Sequence, residues 1–156
     1  MGHTRELRAV VGLVILAALH GCATPRRNQV QMDAGRATRP DIMEKVARIL
    51  DQQGYEVQER RDTGNVIQYM TSWTTRAPFE DEAMGGAFEC RTRVTFEARK
   101  GAGDTFAISL KGENTIQRAS FLDEWVSLPP TPMFRDHIRE VADAIAIEVD
   151  VGVRTR

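Results

Sequence analysis

Phe88-Glu89-Cys90-Arg91-Thr92-Arg93-Val94-Thr95-Phe96-Glu97-Ala98-Arg99 is the stretch that decides the fold. Apolar or small residues at 88, 90, 92, 94, 96 and 98 alternate with charged or polar ones at 89, 91, 93, 95, 97 and 99. A period of two belongs to a β-strand with one face in a core and the other in water. Residues 100–104, Lys-Gly-Ala-Gly-Asp, supply a turn. Residues 105–111 then read as a second strand with Phe106, Ile108 and Leu110 inward, continuing irregularly to Ile116. Upstream, residues 66–74 alternate again, with Ile67, Tyr69, Thr71 and Trp73 sharing a face. Before them Tyr55 and Val57 alternate with Glu56 and Gln58, and the polar run 60–65 turns the chain, which completes a hairpin.

Two flanking stretches change the period to 3.6. Ile42, Val46, Ile49 and Leu50 line one helical face. Thr38 or Asp41 caps its start around Pro40, Glu44 pairs with Asp41 as a capping box, and Gly54 lies just past its end. Near the other terminus, Thr131-Pro132 opens a second helix as cap and first residue, with Phe134, Ile138, Val141, Ala142 and Ile145 as its apolar stripe. Residues 76–87, with Pro78, Glu80-Asp81-Glu82 and Gly85-Gly86, read as either a mobile flap or an exposed loop. Phe121, Leu122, Trp125 and Leu128 follow no consistent period, so residues 117–130 read as a long ordered loop or a short helical turn. The expected fold is α+β: a four-stranded antiparallel sheet flanked by an N-terminal and a C-terminal helix packed on one face, α-β-β-β-β-α.

The start of the chain carries an address. Residues 1–8 hold two arginines against one glutamate, and residues 9–19 form an apolar run of 11 residues. That length suits the core of a signal peptide and falls short of the roughly 20 residues a membrane-spanning helix needs. The run ends at Leu19-His20-Gly21-Cys22-Ala23, which resembles the lipobox of bacterial lipoprotein signal peptides. His20 stands where that pattern has a small or β-branched residue. The resemblance implies cleavage between Gly21 and Cys22, a diacylglyceryl group on Cys22, and membrane attachment through the acyl chains. Ala23 in place of aspartate resembles the pattern of outer-membrane retention. Glu6 excludes the N-myristoylation motif, which requires Ser or Thr there.

The expected organisation is a signal peptide (1–21), a lipidated Cys22 with a flexible tether (22–37), a single α+β domain (38–151) and a short tail (152–156). Loss of the signal peptide leaves 135 residues, enough for one domain with a real core. It also removes two arginines and one glutamate, taking the net charge from −1 to −2. Cations and anions interleave along the whole chain, so no basic patch for nucleic acid is expected. With Cys22 claimed by lipid, Cys90 has no partner for an intrachain disulfide and reads as a small buried apolar residue.

No catalytic constellation emerges. His137 is the one imidazole outside the signal peptide and reads as a surface or boundary residue. Glu80-Asp81-Glu82 lacks the spaced ligands of a calcium loop and reads as a solvated charge run. No metal and no cofactor are expected. The arginines at 91, 93 and 99 interleave with Glu89 and Glu97, a pattern suited to cross-strand ion pairs. Trp73 and Trp125 read as core or core-edge residues. The residues best placed by type to meet a partner are Trp73, Phe79, Trp125, Arg91 and Arg93.

Gly54-Tyr55-Glu56-Val57, then Thr71-Ser72-Trp73, then Arg91-Thr92-Arg93-Val94 and a closing helix are similar to the helix-grip-type domains of BamC-like envelope lipoproteins, across residues 41–149. The leading expectation is a membrane-anchored, non-enzymatic accessory module, facing the periplasm, that binds another envelope component, an envelope protein. It would do so through residues 76–87 or the groove between the sheet and the second helix. The alternative is a small-ligand or lipid carrier, which requires an apolar cavity beneath Phe88, Phe96, Phe106 and Trp73.

Overall fold

In the computed structural model, residues 28–154 are described, apart from the side chains of 121–123 and 150–154. The expected signal peptide, with its cleavage site at Gly21 and Cys22, lies outside the described residues. The elements in chain order are β1 (Gln29–Thr38), a helical segment α1 (residues 39–52), β2 (Val57–Asp62), β3 (Val66–Thr71), β4 (Thr74–Arg76), a short helix α2 (Glu80–Met84), β5 (Ala87–Lys100), β6 (Thr105–Arg118), β7 (Phe121–Ser127) and a long helix α3 (Pro132–Arg154).

The expectation of four strands between two helices is overturned. The described residues form a seven-stranded antiparallel sheet, and the first described element is a strand. Two long strands, β5 and β6, each of 14 residues, form the middle. Each is long enough to take two short partners along its outer edge. β3 and β4 share the edge of β5, with β2 beyond β3, while β1 and β7 share the edge of β6. Two of the added strands were hidden for different reasons. Residues 29–37, expected as tether, become β1 because Val30, Ala34 and Ala37 are small enough to bury against the helices although they do not alternate. A bulge between Asp33 and Arg36, with Gly35 at φ +84°, accounts for the broken period. Residues 121–127, expected as loop or helical turn, pair with the end of β6 as an edge strand.

Both helices lie on one face of the sheet and close a single main core. Thr38 caps α1 by accepting the Asp41 N–H at 3.5 Å, so of the two candidate caps the structure uses the first. The helix stops at Gly54, whose φ of +83° lets the Tyr55 N–H return to the Leu50 carbonyl at 2.8 Å. α3 lays Phe134, Ile138, Val141, Ala142, Ile145 and Val149 onto the sheet, all fully buried or nearly so. It approaches β6 closely: a Cβ at Gly112 would sit 2.6 Å from Ile138 Cδ1. Gly112 therefore sets the height of α3 above the sheet. Tyr69 stacks on Phe96 opposite it in register, with ring centroids 5.5 Å apart. No helix among the described residues is long and apolar enough to cross a membrane.

Candidate functional site

A one-residue slip in the strands beside β5 organises the rest of the molecule. Met70 pairs with Thr95, whereas Thr74 pairs with Thr92, so four steps along the outer strands match three along β5. Because side chains alternate with period two, one extra residue reverses the facing of everything after it. Ile67, Tyr69 and Thr71 point into the core. Trp73, expected on that same face, crosses to the opposite side and joins Arg91 and Arg93. Arg76, paired with Cys90, turns inward. The Thr71 hydroxyl heals the break by accepting the buried Val94 N–H at 2.9 Å and donating to the Ser72 carbonyl at 3.0 Å.

On the solvent side of the sheet, four of the five residues expected to meet a partner come together. The Arg91 guanidinium lies 4.7 Å from the Trp73 ring and 4.4 Å from the Trp125 ring, sandwiched between the two indoles. Its Nε donates to Thr115 Oγ1, opposite it in register, at 2.9 Å. Among the described residues, no hydrogen bond or ion pair engages its two terminal nitrogens. Burial and the neighbouring Arg93 charge both lower the Arg91 pKa. Arg93 lies 4.7 Å from Trp73 and forms an ion pair with Glu113, its cross-strand partner. Gln29 of β1 also bonds Glu113. The next residue on this face of β5 is Glu89. Both tryptophans are half-buried: one side of each rests on the arginines and the sheet. The core face expected for Trp73 is therefore corrected, while Trp125, expected at the core or its edge, is half-buried on the solvent side of the sheet. Phe79, the fifth residue, lies apart on the helix side under Arg76, with 4.0 Å from guanidinium to ring centroid.

The inward turn of Arg76 builds a second polar cluster. Its Nη1 and Nη2 grip Glu82 Oε2 and Oε1, both at 2.7 Å, and its Nε donates to Thr92 Oγ1 at 2.9 Å. Asn114 Nδ2 donates to Glu82 Oε1 at 2.6 Å, the Phe79 N–H to Oε2 at 2.8 Å, and the Cys90 thiol to Oε2 at 3.4 Å. Glu82 is 1 % exposed. The acidic run 80–82 is thus not a solvated loop, and residues 76–87 are not a free flap. α2 folds over the end of the sheet, delivering Glu82 inward, while Asp81 Oδ2 accepts the Met133 N–H at 2.9 Å and caps α3. Burial pushes the Glu82 carboxyl up, but the Arg76 hydrogen bonds, the Phe79 N–H, the Arg76 charge and the Cys90 thiol outweigh it and hold it below its ordinary value. Burial, reinforced by the Glu82 charge, pushes the Cys90 thiol up to about 12.

His137 sits beside this cluster, half-buried, with Nε2 2.6 Å from the Tyr55 hydroxyl and its ring 5.5 Å from Phe79. Burial lowers its pKa, and the Arg76 charge adds to that, against opposing contributions from Glu140 and Glu82. Burial raises Tyr55 to about 12, with the Arg76 charge and a Thr92 hydrogen bond opposing. Among the described residues, no group of three or more His, Cys, Asp or Glu side chains is arranged to hold a metal ion.

The four residues expected to ring a carrier cavity do not enclose one space. Phe96 and Phe106 are packed in the core, Trp73 is on the opposite face, and Phe88 is 64 % exposed because a bulge between Ala87 and Glu89 expels it. Arg76, Glu82 and Asn114 were not among the expected site residues. Their convergence depends on the strand slip, for which alternation within residues 66–76 alone carries no signal. Against known proteins, no family model matches the chain and no curated protein matches it.

Proposed function

We propose that this chain is a lipid-anchored, periplasm-facing module of the bacterial outer membrane, and that it acts by binding another envelope component and not by catalysis. The observation that carries this reading is the Trp73–Arg91–Trp125 sandwich. A guanidinium lies within 5 Å of two indole rings, its terminal nitrogens in no hydrogen bond or ion pair among the described residues, on the sheet face opposite the described helices. Stacked, half-buried aromatics with a pre-oriented arginine are the residue types that dominate binding surfaces, because little entropy is lost when they meet a partner. By contrast, the reactive side chains of the interior engage one another. Glu82 and Cys90 are closed off from solvent, and a thiol held near 12 is no nucleophile at neutral pH.

The anchor is supported by the charged start, the 11-residue apolar core and the small residue before Cys22. Two tests apply to it together: the intact mass of the chain recovered from its native host, and its fractionation after a high-salt wash. The reading expects an acyl mass increment on a chain beginning at Cys22, resistance to the wash, and loss of both in Cys22→Ala. A wild-type chain recovered in the soluble fraction without added mass overturns the anchorage.

A further inference from the structure

We propose that the Trp73–Arg91–Trp125 stack docks onto the membrane that holds the lipid anchor, with Arg91 taking the phosphate of an anionic phospholipid headgroup and the two indoles seated at the interface. This inference rests on the anchorage proposed above and names the partner of the same face.

The argument begins with where the chain enters the domain. Asn28 sits at the junction of β1 and β7. Its Nδ2 donates to Ser127 Oγ at 3.2 Å, and its carbonyl accepts the Asn114 N–H at 3.4 Å. Gln29 then pairs with Glu113, which pairs with Arg93, and Thr115, which holds Arg91, lies two residues farther along β6. The entry point is therefore two strand spacings from Arg91 and Arg93, roughly 10 Å. Only five residues, 23–27, separate Asn28 from Cys22. Even fully extended, that segment reaches at most about 20 Å. With residues 29–37 built into β1, only residues 23–27 are left to link Cys22 to the domain, so the anchorage holds the region around the entry point, the Trp–Arg stack included, close to the bilayer.

The chemistry of that face fits the location. Tryptophan favours the membrane interface, where its ring is desolvated and its N–H remains hydrated. A planar guanidinium matches phosphate oxygens in a bidentate way that an ammonium does not. The terminal nitrogens of Arg91 have no partner among the described residues, whereas the charge of Arg93 is already directed to Glu113.

The two tryptophans of this stack are the only ones in the chain, so tryptophan fluorescence reads this site alone. The acylated mature protein is reconstituted into phosphatidylcholine vesicles with or without phosphatidylglycerol, using brominated acyl chains as quencher from within the bilayer and acrylamide as quencher from water. Expected are a blue shift, quenching by brominated lipid and protection from acrylamide, all stronger with phosphatidylglycerol and weakened by salt. Arg91→Gln shifts the balance of docked and undocked domain about fivefold, as for one basic residue lost from an anionic surface, and Arg91→Lys restores part of it. Unchanged circular dichroism of both variants shows that the fold is intact. Protein that sediments with the vesicles while its tryptophans stay open to acrylamide overturns the inference and leaves the anchorage standing, with a protein partner for this face. Quenching equal in both lipids and unaltered in Arg91→Gln overturns the phosphate assignment. A chain that carries no acyl mass and does not sediment overturns the anchorage, and this inference with it.

Discussion

Replacing Glu82 with alanine tests the interior cluster directly. The carboxylate accepts two hydrogen bonds from Arg76 and one each from Asn114, the Phe79 N–H and the Cys90 thiol, at 1 % exposure. Its removal leaves the Arg76 guanidinium half-buried without the carboxylate it grips. It also leaves the Phe79 N–H and the Asn114 amide without their acceptor. Truncating one partner of a buried ion pair costs about 3–5 kcal/mol, a large part of the roughly 5–15 kcal/mol that holds a domain folded. For a urea dependence of about 2 kcal/mol per molar, the unfolding midpoint falls by about 2 M. The assay is equilibrium urea unfolding followed by far-ultraviolet circular dichroism, since tryptophan fluorescence reports on the opposite face. Arg76→Met/Glu82→Leu, which removes both charges and fills the space with apolar atoms, recovers at least half of the loss, because the penalty comes from an uncompensated charge and not from the missing pair. A Glu82→Ala loss below about 1 kcal/mol, the value of a solvated surface pair, refutes the reasoning.

His137 and Glu82 both have pKa values lowered by folding, so each stabilises the protein above its unfolded value and loses that contribution as pH falls through its folded value. Stability therefore declines below the ordinary histidine value of 6.5 and again below the ordinary carboxylate value of 4.5. His137→Gln removes the first decline, and melting temperatures between pH 7.5 and 5, taken as about one unit either side of the histidine range, with the same slope as wild type would count against this. Cys90 is fully buried, with its thiol held up to about 12, so in a Cys22→Ala chain an aromatic disulfide reagent reacts with it only after denaturant is added; fast labelling of the native protein would contradict the placement. Gly112→Ala forces Ile138 off its seat on β6 and costs about 1–3 kcal/mol. Ile138→Ala in the same chain relieves part of that cost, so strictly additive melting shifts in the double variant would show that the contact is not what sets the helix height.

The added β1, β4 and β7 extend the sheet beyond the four strands that the periodicity of the sequence predicts. What makes the domain distinct is the pairing of two short strands along one edge of each long strand. Each such edge must be broken somewhere, and the breaks are where the candidate binding residues and the buried Arg76–Glu82 cluster gather. One break, between Thr71 and Thr74, sends Trp73 outward and Arg76 inward. The other, between β1 and β7, is where the chain enters beside Trp125.

Local pattern alone was enough to recover the alternation of residues 90–96, the apolar stripes of both helices and the glycine stop at Gly54, because each depends on neighbours a few residues away. The five residues singled out as a binding set were chosen by type, and four of them meet for a reason visible only in three dimensions. Whether a side chain after Thr71 faces core or solvent is decided by register against β5, some twenty residues downstream, and a slip of one residue reverses it. The burial of Glu82, the strand at residues 29–38 and the outward turn of Phe88 were likewise beyond local reading. A charged run looks solvated until a cation is delivered to it from another strand, and a short irregular strand earns its place only through the edge it completes. Sequence by itself determined the periods and the helix stop at Gly54. Tertiary structure decided which face each side chain occupies, and with it the placing of the Trp–Arg stack beside the point where the chain enters the domain.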